Sequence, residues 1–210
     1  MDDDPEKAGC SGEYPLKGFH YWVTKGLPTR ACKEYLFTFG EKPEEHKDKL
    51  KCLDTCSTEG MELVRYKGSF FKAIIGEEEI KKEIYNNGPV VATFYIYEED
   101  FNNYWFNDLL YDQNKIYRHS GEITNITHAI KIIGWGIDPI NKEKYWLCVN
   151  SWGEYYTGGV FRFIRGINDC GIESMINVGY VDKIIYSIND FIYAERDIFF
   201  SFKNLDIDYE

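Results

Sequence analysis

The amino-acid sequence predicts an α+β fold in which strands form most of the core. Hydrophobic residues make up 44% and aromatic residues 17% of the 210 positions, a composition that is typical of a β-rich globular protein. Two segments, Pro15–Lys25 and Glu77–Asn87, have the apolar spacing of amphipathic helices. Later segments are rich in β-branched and aromatic residues and are bounded by glycines or polar turns, which indicates strands.

The ends of the two predicted helices carry their own signals. Gly26 follows the first helix, and the second is closed by Asn87-Gly88-Pro89. Ile80 and Ile84 lie on one face of the second helix. Between the helices, residues 28–56 are polar and lysine-rich, so we expect a long loop there.

Four strands are predicted after the second helix. A short helical turn at 98–105 follows the first of them, and a Gly-x-Gly sequence at 134–136 is expected to end the second. A polar turn at 138–144 separates the second strand from the third. The predicted strands span residues 90–97, 128–136, 145–152 and 161–165.

A histidine and an asparagine are the first candidates for chemistry. His128 opens the second strand and Asn150 lies near the end of the third, 22 positions later. That spacing suits a hairpin in which the two residues lie side by side. Taken alone, such a pair is more often a plain hydrogen-bonded pair than a catalytic one.

Charge and hydropathy exclude several classes of partner. The formal net charge of −11 argues against nucleic-acid binding and against attachment to an anionic membrane surface. No uninterrupted apolar run reaches the ~18 residues that a membrane span needs. The acidic first residues lack the apolar segment of a signal peptide.

The cysteines favour disulfides over a metal site. Cys32, Cys52 and Cys56 lie in the predicted loop, without a matching histidine pair nearby. We therefore expect no metal ion, and we expect no cofactor.

Three groups of motifs resemble papain-family cysteine peptidases, in particular the C-terminal half of cathepsin B, from about Gly9 to Tyr180. They are His128-Ala129-Ile130 with Gly134-Trp135-Gly136, Tyr145-Trp146 with Asn150-Ser151-Trp152-Gly153, and Arg165-Gly166 with Cys170-Gly171-Ile172-Glu173-Ser174. In that family a cysteine thiolate attacks the scissile carbonyl, a histidine transfers the proton and an asparagine holds the histidine ring.

The resemblance implies a papain-like fold, mainly the β-barrel right-hand domain with a remnant of the helical left-hand domain. The expected organisation divides the chain into four parts. They are the left-hand remnant at 1–27, a shortened occluding-loop-like region at 28–60, the right-hand domain at 61–181 and an unassigned extension at 182–210.

The resemblance also implies the roles of single residues. His128 and Asn150 correspond to the catalytic pair, Trp152 covers the hydrogen bond between them, and Cys32 pairs with Cys56. Met175 stands where cathepsin B has a glutamate that accepts arginine, so the pocket should prefer Leu or Val. The substrate-binding residues implied are Gly12, Pro15, Thr93, Ala129 and Met175.

No cysteine of the chain lies in the C-G-[SA]-C-[WY] context of the family's nucleophile. Two hypotheses follow. In the first, the chain is the larger part of a lysosomal or secreted endopeptidase, and a separate N-terminal segment carries the nucleophile. In the second, it is a non-catalytic protein that binds peptides. The unusual residues Glu13, Ile126-Thr127 and Tyr155 or Tyr156 favour the second, and the retained His128 pair favours the first.

Overall fold

The computed structural model describes residues 13–34, 55–96, 98–121, 126–153 and 155–181. The described residues as far as Tyr180 belong to one compact unit. The resemblance implies that Cys10 and Cys52 lack partners within this chain. That expectation and those for Gly12 and the segment 182–210 lie outside the described residues. The predicted domain boundaries stay predictions.

The first predicted helix is confirmed as α1, Pro15–Lys25, with proline at its first position and Gly26 after its end. The carboxylate of Glu13 accepts the Tyr14 backbone N–H at 2.9 Å and pairs with the Lys17 ammonium at 2.8 Å. Glu13 is exposed to solvent, and its side chain is directed along the start of α1.

Helix α1 packs against one edge of the sheet through its aromatic face. A Cβ atom added to Gly179 would lie 2.6 Å from ring atoms of both Phe19 and Trp22, and one added to Gly68 would lie 2.6 Å from Trp22. Glycine at both positions is therefore what allows the two rings to rest directly on the backbone.

The second predicted helix is confirmed as α2, Glu77–Asn87, with Ile80 fully buried. The strands are β1 Phe70–Ile74, β2 Val90–Ile96, β3 Ile116–Tyr117, β4 Ile126–Ile137, β5 Lys144–Val149, β6 Val160–Ile164 and β7 Ile176–Tyr180. These seven strands form one sheet in the order β1-β7-β2-β4-β5-β6-β3. Neighbours are antiparallel except β3 and β6, which are parallel.

β4 ends at Ile137, one residue beyond its predicted end. The strand continues through both glycines of the Gly-x-Gly sequence to Ile137, because its pairing with β5 shifts register between Ile132 and Gly134 and then resumes. The chain turns only at Asp138, whose carboxylate accepts the backbone N–H groups of Ile140 and Asn141. β5 ends at Val149, three residues earlier than predicted.

The helical turn predicted at 98–105 is longer in the structure. It comprises α3, Glu98–Asn103, a π turn, Tyr104–Asp108, and α4, Leu109–Tyr111. A further short α-helix, α5, spans Tyr155–Gly158, and a 3₁₀ helix spans Asp169–Gly171.

The sheet curves strongly around an aromatic core. The rings of Phe94 in β2 and Phe163 in β6 are 5.0 Å apart, although β4 and β5 lie between these strands in the sheet. In a flat sheet three strand spacings would separate the two strands by ~14 Å. β2 and β6 therefore face each other across the core, in agreement with the predicted barrel.

The predicted disulfide between Cys32 and Cys56 is confirmed. The segments that it joins also share hydrogen bonds, from the Ser57 N–H to the Cys32 carbonyl and from the Thr58 hydroxyl to the Ala31 carbonyl. The bridge and these bonds hold the two described ends of the predicted loop together. None of the helices in the described ranges has the length and apolar character needed to cross a membrane.

Candidate active site

The site is built at the junction of β4, β5 and the helical segment after β2. His128 is in β4, opposite Phe94 of β2. Asn150 directly follows β5, where its backbone N–H donates to the Gly159 carbonyl at 2.9 Å. This bond continues the pairing of β5 with β6 by one residue. The Asn150 side chain reaches His128 on the neighbouring strand β4.

The side chains of His128 and Asn150 are hydrogen-bonded, as predicted: Nε2 of the ring lies 2.9 Å from Oδ1 of the amide. The same oxygen accepts the Ser151 backbone N–H at 2.8 Å. A backbone N–H can only donate, so the amide oxygen faces both partners and Nε2 must carry a hydrogen. In the neutral ring Nδ1 then holds the lone pair, which makes it the proton acceptor of this site.

Trp152 packs against this hydrogen-bonded pair, as predicted. Its ring centroid lies 4.8 Å from that of His128, and both side chains are half-buried. Phe94 and Phe101 contact the imidazole from other sides, each with its ring centroid at 5.8 Å. The imidazole is therefore surrounded by an aromatic enclosure, made of the rings of Phe94, Phe101 and Trp152, and it is hydrogen-bonded to the amide of Asn150.

The pKa of His128 lies below its usual value because burial penalises the imidazolium, and the hydrogen bond to Asn150 offsets this only in part. A buried imidazole of this kind is neutral at neutral pH. Neutral imidazole is also the form that can take a proton from a thiol.

We expect this shift to appear as a pH dependence of stability. The unfolded chain protonates His128 below about pH 6.5, whereas the folded chain does so only at lower pH. The histidine's contribution to the free energy of unfolding is therefore complete above that value and is lost as the pH falls toward the folded-state pKa. An NMR titration of the His128 ring, assigned by its absence in His128→Gln, should give a pKa below 6.5; a value at or above 6.5 would contradict the burial argument.

Three of the predicted substrate-binding residues come together in the structure. Thr93 of β2 pairs with Ala129 of β4, and its backbone N–H donates to the Met175 carbonyl at 2.9 Å. Because side chains alternate along a strand, Thr93 and Ala129 lie on the face opposite to His128. Pro15 is the first residue of α1, and its part in substrate binding stays a prediction.

None of the four described cysteines offers a reactive thiolate. Cys32 and Cys56 are bonded to each other. Cys148 is fully buried, which raises the pKa of its thiol well above the usual value, and burial raises the pKa of Cys170 to about 12. Across the described ranges, no three His, Cys, Asp or Glu side chains are grouped as a metal site would need.

Several aromatic residues that build the site were missed from the sequence. Phe101, Trp105 and Phe106 all contact Trp152. The sequence indicated only a short helical turn at 98–105, which contains Phe101 and Trp105. Trp152, which all three rings contact, lies about fifty residues further along the chain. No local sequence pattern indicates that contact.

Comparison with known proteins gives consistent results. Residues 2–180 match the family described as papain family cysteine protease. The chain is 34% identical to cathepsin B-like cysteine proteinase 5 of Caenorhabditis elegans, over 83% of this chain and 54% of that protein. It is also 34% identical to a cathepsin B-like cysteine proteinase of Schistosoma japonicum, over 82% and 54%.

Among solved structures, procathepsin B S9 from Trypanosoma congolense matches with a TM-score of 0.68 and 32% identity, over 84% of this chain and 56% of that one. Digestive procathepsin L 3 of Tenebrio molitor shares the fold, with a TM-score of 0.58 and 21% identity, over 83% and 50%. The chain thus spans about half the length of the relatives that it matches.

Proposed function

Because this chain belongs to the papain family of cysteine proteases, we propose that it supplies the histidine and asparagine of a cathepsin B-like peptidase active site. The observation that carries the proposal is the 2.9 Å contact between His128 Nε2 and Asn150 Oδ1, which leaves Nδ1 free as a base. A protein that only binds peptides has no chemical need for a histidine held in one tautomer.

The proposed reaction is peptide hydrolysis by acyl transfer. Nδ1 of His128 takes the proton of a cysteine thiol, and the thiolate sulfur attacks the scissile carbonyl carbon. The imidazolium then gives that proton to the leaving amine as the C–N bond breaks. Water, deprotonated by the same nitrogen, attacks the thioester carbonyl carbon. The C–S bond then breaks, which releases the acid and restores the thiolate beside the imidazolium. Asn150 keeps the ring oriented throughout because its Oδ1 accepts from Nε2 in both the neutral and the protonated ring.

The pKa shift of His128 fits this role. Without a thiolate nearby, burial keeps the ring neutral. An adjacent thiolate would stabilise the imidazolium by direct charge pairing, which is how the thiolate–imidazolium pair of this family forms. At neutral pH the chain therefore provides a neutral base, which becomes charged when its acidic partner is in place.

We infer that the nucleophile belongs to a segment outside residues 1–210. Bonding or burial excludes the described cysteines, and Cys10 and Cys52 have no nucleophile-like sequence context. We propose a lysosomal or secreted location for the protein, since the Cys32–Cys56 bridge needs an oxidising compartment to persist.

The product of the complete coding sequence tests the peptidase proposal. It should cleave fluorogenic dipeptide substrates and be labelled by a thiol-directed epoxide at one cysteine outside residues 1–210. His128→Ala should abolish turnover, whereas Tyr111→Ala, at a residue that is 87% exposed, is the matched control and should retain it. A complete product with neither turnover nor labelling would refute the proposal.

A non-catalytic peptide-binding protein is the second candidate, favoured by the absence of an accessible free thiol among the four described cysteines. The same assay separates the two functions. Saturable binding of a substrate peptide to the complete product, without turnover or labelling, would support the second candidate over the first.

The proposed substrate pocket leads to a prediction about specificity. Thr93, Ala129 and Met175 present no negative charge, so Leu or Val should be preferred over Arg at the second residue before the scissile bond. In the complete protein, Met175→Glu should raise kcat/KM for the Arg substrate relative to Leu by roughly 10- to 100-fold, as expected for a charge-assisted hydrogen bond. An Arg preference in the unmodified protein would contradict the assignment of the pocket.

A further inference from the structure

The helical segment after β2 contains one turn that is wider than an α-helix. The backbone N–H of Leu109 donates to the Tyr104 carbonyl, five residues earlier, within the π turn Tyr104–Asp108. Such turns are rare, occur mostly as single insertions in α-helices and are frequent at functional sites. This one lies beside Trp152.

The wider turn changes which side chains share a face. In a regular α-helix, residues five positions apart differ by about 140° around the axis, given 3.6 residues per turn. The π turn begins at Tyr104, between Phe101 and Phe106, and its wider winding reduces the angle that separates these two side chains. Phe106 is five residues after Phe101, and the rings of both contact the indole of Trp152.

The two rings contact Trp152 in different ways. Phe101 meets the indole edge-on, with a centroid distance of 5.5 Å, whereas Phe106 is parallel to it within 4° at 6.1 Å. Trp105 adds a third, edge-on contact at 6.2 Å. The indole of Trp152 is thus held by one helical segment while it packs against His128.

From this geometry we propose that Phe106 is a positioning residue for the active site. The π turn sets Phe106 flat against Trp152, and the indole, held in place, keeps water from the hydrogen bond between His128 and Asn150. The inference rests on the proposed function, since only a catalytic base requires one fixed tautomer. Phe106 itself acts through Trp152, and its role is to fix the base that takes the thiol proton.

The position of Trp152 matters because water competes for the hydrogen bond between His128 and Asn150. A hydrogen bond in a water-poor environment is strengthened by the low local dielectric constant. If the indole moved aside, water could bond to Oδ1 of Asn150, and the imidazole could rotate or change tautomer. The exchange rate of the His128 Nε2 hydrogen therefore reports directly on how well Trp152 is held.

The test uses NMR on the 210-residue chain, with ¹⁵N shifts for the tautomer of His128 and hydrogen exchange for its Nε2–H. In Phe106→Ala we expect exchange at least about tenfold faster and a loss of the single-tautomer signature. Phe106→Leu, which keeps apolar volume but loses the flat ring, should fall between this variant and the unmodified chain. Asn107→Ala, at an exposed residue of the same turn, should leave exchange unchanged.

A variant remote from the site distinguishes the proposed positioning role of Phe106 from a merely structural role. Ile80→Ala removes a fully buried side chain of α2 and lowers global stability without touching Trp152's aromatic contacts. The proposal is overturned if this variant accelerates Nε2 exchange as much as Phe106→Ala, or if both Phe106 variants stay within twofold of the unmodified chain. The NMR measurement needs neither a nucleophile nor turnover. Its result can therefore be told apart from a failure of the peptidase proposal.

Discussion

Residues 1–210, expressed alone, should give no detectable turnover of a fluorogenic dipeptide substrate. The base and its orienting amide are in place, but the four described cysteines are bonded or buried, and no cysteine of residues 1–210 has the sequence context of the family's nucleophile. Without a nucleophile the oriented histidine has nothing to activate. In a comparable triad, loss of the nucleophile lowers kcat by about 10⁶-fold, and we expect a loss of that order relative to the complete product.

Labelling distinguishes a missing nucleophile from an inactive but complete site. A thiol-directed epoxide should modify no cysteine of residues 1–210 in a His128-dependent manner. Turnover that His128→Ala abolishes, together with labelling of any one of the six cysteines, would show that the chain carries its own nucleophile. Denatured protein is the control, since unfolding should expose Cys148 and Cys170 to the reagent.

The parts of the fold that depend on local sequence were predicted well. Helices α1 and α2 have the expected bounds because apolar spacing and the glycines that end them act within a few residues. The contact between His128 and Asn150 was also predictable, because a hairpin spacing and a family motif both point to it.

Features set by distant partners were not predictable. The path of β4 through Gly134 depends on a register shift against β5 that neither strand shows alone. Residues 98–105 have helical spacing, but apolar spacing does not separate a π turn from an α-helix over so few residues. The aromatic enclosure of His128 is the clearest case, because its members come from β2, the helical segment after it and the turn after β5.

Phe101→Ala should have the largest effect on stability, a loss of about 3–5 kcal/mol in the free energy of unfolding, as is usual for a buried Phe→Ala change. The Phe101 side chain is fully buried, and no neighbouring ring could fill its volume without moving. It lies between 5.1 and 6.5 Å, centroid to centroid, from the rings of Phe94, Tyr104, Trp105, Tyr117, His128, Trp152 and Phe161.

Urea unfolding of residues 1–210 would measure this loss, and Tyr111→Ala provides the matched control. Tyr111 ends the same helical segment but is 87% exposed, so its removal should change the free energy of unfolding by no more than about 0.5 kcal/mol. Because domains are stable by only about 5–15 kcal/mol, the Phe101 variant would lose a large share of the total. A loss below about 1 kcal/mol would mean that the aromatic enclosure of His128 stays packed without Phe101. The barrel core and the site would then be separate packing units.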